Sequence, residues 1–527
     1  MQTLNLNQTE CGHCALSRRS FLATGCAGCA GMIGLSQGGL LLEVANAAET
    51  TMTVRVIFSL HAPVQTDPDW PNIGFDFRPV MDKTMNALIL GCPNIAFKSS
   101  MADGLEKAKQ IVDTDKAEGT IDGYFVMQLN TGVRAVQEIV ASGKPVLYTD
   151  FLYGGCGHFL QRGAAELRAG KPNYAFISSS QLEDYVAAAQ CFPLAKGEGG
   201  VAAFVAGVTK VRIERTPNHF DMTCKEDKVD MLSTADLRKE LKGKKMLEVE
   251  KGRHAVAAQT KESLGIEIVQ IPYAELNDEW VKADKDAAQE VVKRWKRTAD
   301  AIVGVPDKTL QESAEMYLAQ KACLKKYDAC AITVNCLHGF YGGQIHAYPC
   351  LGFHELLNEG LVGACECDTR STLTMVAMTT LTKGRPGFIS DPVMDISTKQ
   401  IIYAHCVASN KPFGPAGPAN PFTILTHSED RQGASVRSTL PPGYMTTTLE
   451  IAPEWKQILF HQAKAVGNST EDRACRTKLA CVPAGDFEKL FTCWAPWSWH
   501  RVTYYGDLKE SVFALADAIG FKVIEEA

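Results

Sequence analysis

The sequence has no surplus of positive charge: 54 Lys plus Arg stand against 60 Asp plus Glu, for a formal net charge of −6. So balanced a chain offers no basic face to a polyanion, which excludes nucleic acid as the expected partner. Internal repeats and low-complexity tracts are missing too, which excludes solenoid and fibrous architectures. No glycine motif for a phosphate is present, because Gly154-Gly-Cys-Gly157 lacks dinucleotide or P-loop spacing and reads as a strand-end turn. Beyond residue 47 no two cysteines have the CxxC spacing of a zinc or iron–sulfur site.

What is present begins with an address. Ser17-Arg-Arg-Ser-Phe-Leu22 is a twin-arginine signature, followed by an uncharged stretch rich in Gly, Ala and Leu from Ala23 to Leu42. Ala45-Asn-Ala47 supplies a small-x-small cleavage site. The stretch carries too many glycines for a stable membrane anchor. Residues 1–47 are therefore expected to be a cleaved signal peptide. The twin-arginine export machinery is then a partner, and the mature chain, starting near Ala48, is periplasmic or otherwise extracytoplasmic, with no stable membrane insertion. That route carries folded cargo, often already loaded with a cofactor. Cys11-Gly-His-Cys14 and Cys26-Ala-Gly-Cys29 straddle the motif and would leave with it. Cysteines such as Cys92, Cys330 and Cys406 read as buried thiols, with Cys475 and Cys481 as candidate disulfide partners.

With 527 residues and 46% hydrophobic content, the chain can bury cores for several domains. From Thr51 onward, short apolar runs alternate with helical ones. Val54–Leu60, Ala87–Gly91, Ile121–Leu129, Lys144–Thr149 and Ala175–Ser178 read as strands, with helices at Met101–Thr114, Thr131–Ser142 and Gln181–Gln190. After a Gly-rich break at Lys196–Gly200, further strands are expected at Val208–Ile213, Lys245–Val249 and Ile266–Ile271. Helices at Asp278–Ala299 and Lys308–Lys326 then lead to the apolar run Ala329–Val334. This βαβ rhythm predicts α/β lobes with doubly wound parallel sheets. After about residue 385 the texture turns to short runs between Pro and Gly, as expected of antiparallel strands, before a last helix at Leu508–Ile519.

The chemistry-bearing residues follow from this layout. Gly352-Phe-His-Glu-Leu-Leu-Asn358 reads as the last turns of a short helix that Gly360 ends, with Glu355 between apolar neighbours. The next apolar run, Leu361–Cys365, delivers Glu366 and Asp368 at a strand end, where α/β folds place active sites. Carboxylates set among apolar segments repel one another unless a cation or proton neutralises them, so metal binding is the economical expectation. Cys493-Trp-Ala-Pro-Trp-Ser-Trp-His500 crowds three Trp and a His into one loop, a possible nitrogen ligand beside an aromatic wall.

In pattern and order these residues resemble the L-fucose isomerase and L-arabinose isomerase group of ketol isomerases. Glu355-Leu-Leu-Asn358 followed by Ala364-Cys-Glu-Cys-Asp-Thr-Arg-Ser-Thr-Leu-Thr-Met375 is similar to that family's central metal-binding stretch. Trp499-His500 followed by Arg501–Asp507 is similar to the stretch carrying its metal-binding His. The resemblance implies two Rossmann-like domains, 48–190 and 191–352, followed by a metal-binding, β-rich, barrel-like C-terminal domain, 353–527. It implies Glu355, Asp368 and His500 as ligands of a divalent metal, usually Mn²⁺, with Glu355 and Asp368 also as the catalytic acids. Glu366 is an alternative to Asp368, and His405 is a further candidate ligand. Gln344, Tyr348 and Trp499 fall in the stretches that would contact sugar. A homo-oligomer is implied as well. The expected activity is aldose–ketose isomerisation, an intramolecular oxidoreduction through an ene-diol. A metal-free periplasmic sugar-binding protein is the rival from another class, and an epimerase or hydrolase on the same frame is a third reading.

Overall fold

The computed structural model describes residues 52–494 and 497–527, so the expected signal peptide lies outside the described residues. β1 (Met52–Ser59), β2 (Ile95–Ala102), β3 (Gly123–Gln128), β4 (Val146–Asp150) and β5 (Tyr174–Ile177) form a wholly parallel sheet in the order β2-β1-β3-β4-β5. Strands β3, β4 and β5 are buried along their whole length, which is why they read as unbroken apolar runs rather than alternating ones.

Two expected strands of this region are helices. Ala87–Gly91 ends the helix Arg78–Gly91, whose buried residues Thr84 and Leu88 are four apart while Leu90 is exposed. Val208–Ile213 lies in the helix Gly200–Arg215, where Phe204, Val208 and Arg212 make one buried stripe at four-residue spacing. The local alternation of Val-Thr-Lys-Val-Arg-Ile suggested a strand, and the longer period decides otherwise. Phe204 and Val208 join the core of the first sheet, so the first lobe runs past residue 190. The helix Cys156–Arg168 begins where the sequence suggested only a turn.

The second sheet, again wholly parallel, is built from β6 (Lys245–Val249) and β7 (Glu267–Ile271) and, beyond β8 (Ala301–Val303), from β9 (Ala331–Val334) and β10 (Val362–Ala364). Its order is β10-β9-β6-β7. The long helix expected at 278–299 is two, Tyr273–Val281 and Lys285–Thr298. The break comes at Asp284, whose side chain accepts hydrogen bonds from the backbone N–H groups of Asp286 and Ala287 and so caps the second helix. Ala288, Val292 and Trp295 form that helix's buried face, each larger side chain contributing roughly 1.5–3 kcal/mol. β10 pairs with β9, and the helix Thr369–Leu381 packs into the same core.

The remaining strands are β11 (Phe388–Asp395), β12 (Gln400–His405), β13 (Phe422–Leu425), β14 (Ser435–Ser438), β15 (Met445–Ala452), β16 (Gln457–Asn468), β17 (Thr477–Pro483), β18 (Arg501–Tyr505) and β19 (Lys522–Glu525). The antiparallel run β15-β18-β11-β12-β17-β16 closes on itself through β15–β16 pairing, giving the C-terminal β-barrel, with β19 added parallel to β16. Closure leaves the run without a free edge. β13 pairs with β14 and, in parallel, with β8 of the second lobe. Among the described residues no helix is long and apolar enough to cross a membrane.

Candidate metal centre and cavity

Three neighbouring barrel strands and one turn converge on a single point. β11 carries Asp391, β12 ends in His405, and His500 directly precedes β18. Glu366 arrives from the turn after β10. There the strand stops at Ala364, and Glu366 and Cys367 take left-handed conformations with φ of 62° and 49°. Such angles cost non-glycine residues roughly 1–2 kcal/mol each and persist only where surrounding bonds enforce them. Arg253 supplies several: its N–H donates to the Cys367 carbonyl at 2.9 Å, its Nε donates to the Glu366 carbonyl at 3.1 Å, and its guanidinium pairs with the Glu366 carboxylate.

One ligand atom from each of Glu366, Asp391, His405 and His500 lies within 4.8 Å of all the others. His500 Nε2 stands 3.8 Å from Glu366 and 3.5 Å from Asp391, and His405 Nε2 stands 4.0 Å from Glu366. Both imidazole Nε2 atoms are buried without a hydrogen-bond partner. Two orphaned nitrogens beside two carboxylates are a donor set suited to a divalent cation, and residues present here fit one. Burial would push Glu366 up, but Arg253, His500 and His405 hold it well below the usual carboxylate range. Burial would lower His500, yet Asp391, Glu366 and Asp368 raise it well above an ordinary histidine, so this point in the fold attracts positive charge.

Asp368 stands behind this centre. Its Oδ1 accepts the Ser371 N–H at 3.0 Å as N-cap of the helix Thr369–Leu381, and its Oδ2 is 2.9 Å from His500 Nδ1. A His500 that donates from Nδ1 to Asp368 keeps Nε2 free to face the centre. Asp368 is thus placed as the residue that orients His500, not as a member of the cluster.

Glu355, expected as a ligand, is held elsewhere. Its Oε1 accepts from Trp295 Nε1 at 2.6 Å and its Oε2 pairs with Arg294 at 2.8 Å. The sequence spacing that suggested a three-acid site could not show that Lys285–Thr298 would bring an indole and a guanidinium to this carboxylate. Asp391 was missed, although a signal existed: it shares the β11 face of buried Ile389 and Val393, an acid at a core-facing position. Cys475 and Cys481 do not meet. Cys475 Sγ lies 3.9 Å from His405 Nδ1, and Cys481 faces the Thr446 hydroxyl.

The cluster forms the floor of a cavity of about 790 Å³, to which Glu366 and Asp391 contribute directly. Its walls come from both lobes and the barrel, including His61, Asp69, Arg253, Glu429 and Trp499. Gly157, at the start of the helix Cys156–Arg168, is needed there, because a Cβ would stand 2.5 Å from the Trp499 ring. His61 and Asp69 pair at 2.9 Å, and the carboxylate raises the imidazole. Burial pushes the Glu429 carboxyl up to about 8, and the Tyr341 hydroxyl donates to it at 2.5 Å. Of the expected sugar contacts, Trp499 lines this cavity. Gln344 is exposed, and Tyr348 stacks on Phe340 with its hydroxyl on Asp430.

The fold and centre together define a class: an α/β chain with a closed barrel whose strands help assemble a carboxylate–imidazole site under a large cavity. Comparison with known proteins points in a particular direction within it. The chain is 23% identical over 272 residues to the sulfoquinovose isomerase of Clostridium sp. (strain MSTE9), covering 50% of this chain and 59% of that protein. It is 22% identical over 265 residues to the sulfoquinovose isomerase of Priestia aryabhattai, covering 49% and 57%. The chain thus spans less than two thirds of the length of these curated relatives. No family model matches. Among solved structures, a carbohydrate transporter from Acidothermus cellulolyticus 11B in complex with myo-inositol aligns at 12% identity and a TM-score of 0.17, over 56% of this chain and 79% of that chain. A likeness at that score carries no weight for fold or function.

Proposed function

We propose that the protein is a metal-dependent aldose–ketose sugar isomerase. The observation that carries the reading is the convergence of Glu366, Asp391, His405 and His500, with two unpartnered Nε2 atoms, on the floor of a cavity large enough for a monosaccharide. The names of the relatives support the same reaction class. The four residues would hold the cation, for which oxygen-rich ligation with imidazole favours Mn²⁺. When bound, such a cation polarises the sugar's carbonyl and stabilises negative charge on adjacent oxygens.

The chain's own groups do the rest. Isomerisation removes a proton from the carbon beside the carbonyl, returns one to the former carbonyl carbon, and moves another between the two oxygens. Glu366 and Asp391, facing the cavity, are placed to take and return the carbon-bound proton. Arg253 keeps Glu366 ionised and aimed, and Asp368 fixes the His500 ring. Glu429, protonated at neutral pH, can donate a hydrogen bond to a sugar oxygen, while Trp499 gives an apolar face to the ring.

The cavity also bears on the sugar. Its described lining includes Asp67, Asp69, Glu366, Asp391 and Glu429, and Arg253, the only Lys or Arg among them, is committed to Glu366. With Glu366 and Asp391 holding the cation, Glu429 protonated and Asp69 paired with His61, the described lining has no Lys or Arg free to pair with an anionic substituent, so a neutral aldose and ketose pair is favoured over a sulfonated one. Twin-arginine export to the periplasm, Rossmann-like identity of both lobes and assembly into a homo-oligomer remain parts of this proposal that rest on the sequence.

The test is a panel of neutral aldoses and ketoses, with sulfoquinovose included, incubated with the purified chain and Mn²⁺. Interconversion of a neutral pair is expected, abolished by a chelator and by Asp391→Asn. Bound metal with no interconversion of any sugar would overturn the reading, and tight metal-free sugar binding without turnover would favour the binding protein.

A further inference from the structure

A second cavity, of about 450 Å³, opens at the carboxyl ends of β3, β4 and β5, lined among others by Met127, Asp150 and Ser179. In open parallel sheets this end is where ligands bind. Asp150, the last residue of β4, is 1% exposed, yet its Oδ1 has no hydrogen-bond partner. Its other contacts are weak: the Ser178 hydroxyl stands 3.4 Å from Oδ2, and the Cys156 thiol and the Phe151 N–H lie near the carboxyl. A buried carboxyl with an unused oxygen in a cavity wall is a polar group held in readiness for a partner.

The rest of the lining indicates what kind. Phe151 and Tyr153 give aromatic surface, and the Arg473 guanidinium lies 4.4 Å from the Phe151 ring centre, where it covers that ring. Arg473 is also paired with Glu471 at 2.8 Å. Of the charged residues of the lining, Arg473 and Glu471 pair with each other, Asp150 keeps its proton up to about pH 7 and Lys83 is exposed to solvent, so the cavity selects no ion. Hydrogen-bonding groups of both signs beside aromatic faces, in a volume within the small-molecule range, suit a neutral polyhydroxylated ligand.

We propose that this cavity is a second binding site for a neutral sugar or polyol, with the Asp150 carboxyl and the Arg473–Glu471 pair engaging its hydroxyls. The site is separate from the metal-floored cavity, with which it shares no lining residue. It is adjacent nonetheless: Ala474, next to Arg473, donates its N–H to the Pro71 carbonyl at 3.0 Å, and Trp70 and Asp69 line the first cavity.

The experiment is saturation-transfer NMR on the full chain with D-glucose and myo-inositol as probes and glucose 6-phosphate as the charged control. Both neutral probes are expected to bind the metal-stripped Asp391→Asn variant, in which the first cavity lacks its cation. Binding to that variant should weaken at least tenfold on adding Asp150→Ala, and likewise on adding Arg473→Met, which keeps the apolar stem and does not depend on a buried change being tolerated. Thermal melts report folding of each variant. Absence of binding by both neutral probes, binding indifferent to Asp150→Ala and Arg473→Met in folded protein, or tighter binding of glucose 6-phosphate would each overturn the proposal.

Discussion

Exchanging Glu355 and exchanging Glu366 separates two ways of building the centre, and the structure fixes the size of each effect. Glu355→Gln keeps an oxygen to accept from Trp295 Nε1 and loses only the ion pair with Arg294, whose side chain is 40% exposed. Solvent screens that pair, so its loss costs less than about 1 kcal/mol. Glu355→Leu removes both partners and strands the Nε1–H of Trp295, which is fully buried. An unsatisfied buried donor costs about 1–3 kcal/mol, so with the lost pair Glu355→Leu should destabilise its lobe by roughly 1–4 kcal/mol. Neither change touches the cluster. Glu366→Gln does, and it also removes the charge that pairs with the Arg253 guanidinium while leaving the two Arg253 bonds to the turn's carbonyls. The assay is metal content after dialysis against Mn²⁺, measured beside thermal melts of the same samples. Bound metal should be unchanged in both Glu355 variants and fall at least tenfold in Glu366→Gln, while the melting midpoint should drop clearly only in Glu355→Leu. Loss of metal from a folded Glu355→Gln protein would refute the reasoning and restore Glu355 as a ligand.

Three further outcomes are expected. Asp368→Asn should weaken Mn²⁺ binding by about 10–100-fold in a metal titration while the fold persists, because it alters the partner that orients His500. Gly157→Ala should raise KM for sugar several-fold with metal content unchanged, since the new methyl displaces the Trp499 ring from the cavity wall. Burial pushes the Asp150 carboxyl up to about 7 from an unfolded value of 3.8, so the folded chain retains a proton that the unfolded chain releases. The resulting stability is complete below about pH 4 and is lost as pH rises toward 7, a difference on the order of 4 kcal/mol. Asp150→Asn should remove that slope, read as a flatter melting midpoint between pH 4.5 and 8 than the parent shows.

Much of the fold was legible because its signals are local. Buried strands such as β4 and β6 were delimited by apolar runs between polar or Pro-bearing breaks, and the Glu355 helix was bounded by Gly360, which takes a φ of 79°. Where a short alternating run lay inside a longer four-residue stripe, as in Gly200–Arg215, the local reading failed. The centre was half legible. His500, Glu366 and His405 stood out as candidates because each is a chemically distinctive residue at a strand end. Asp391 did not, since an acid inside a barrel strand is meaningful only once its neighbours on that face are known to be buried. Glu355 and Asp368 misled for a related reason: a carboxylate among apolar residues needs a partner, and sequence does not tell whether an indole, a backbone N–H or a cation supplies it.

The parallel pairing of β8 with β13 ties the second lobe to a segment synthesised much later. Ala301 sits opposite Thr423, roughly 120 residues onward, which at about 5–20 residues per second is on the order of 10 s of translation. Until β13 emerges, β8, whose one pairing among the described residues is with β13, stays unpaired. A fragment ending at residue 385 would therefore leave β8 without its partner. A holding factor that senses unpaired strands would release this chain only once β13 has been made.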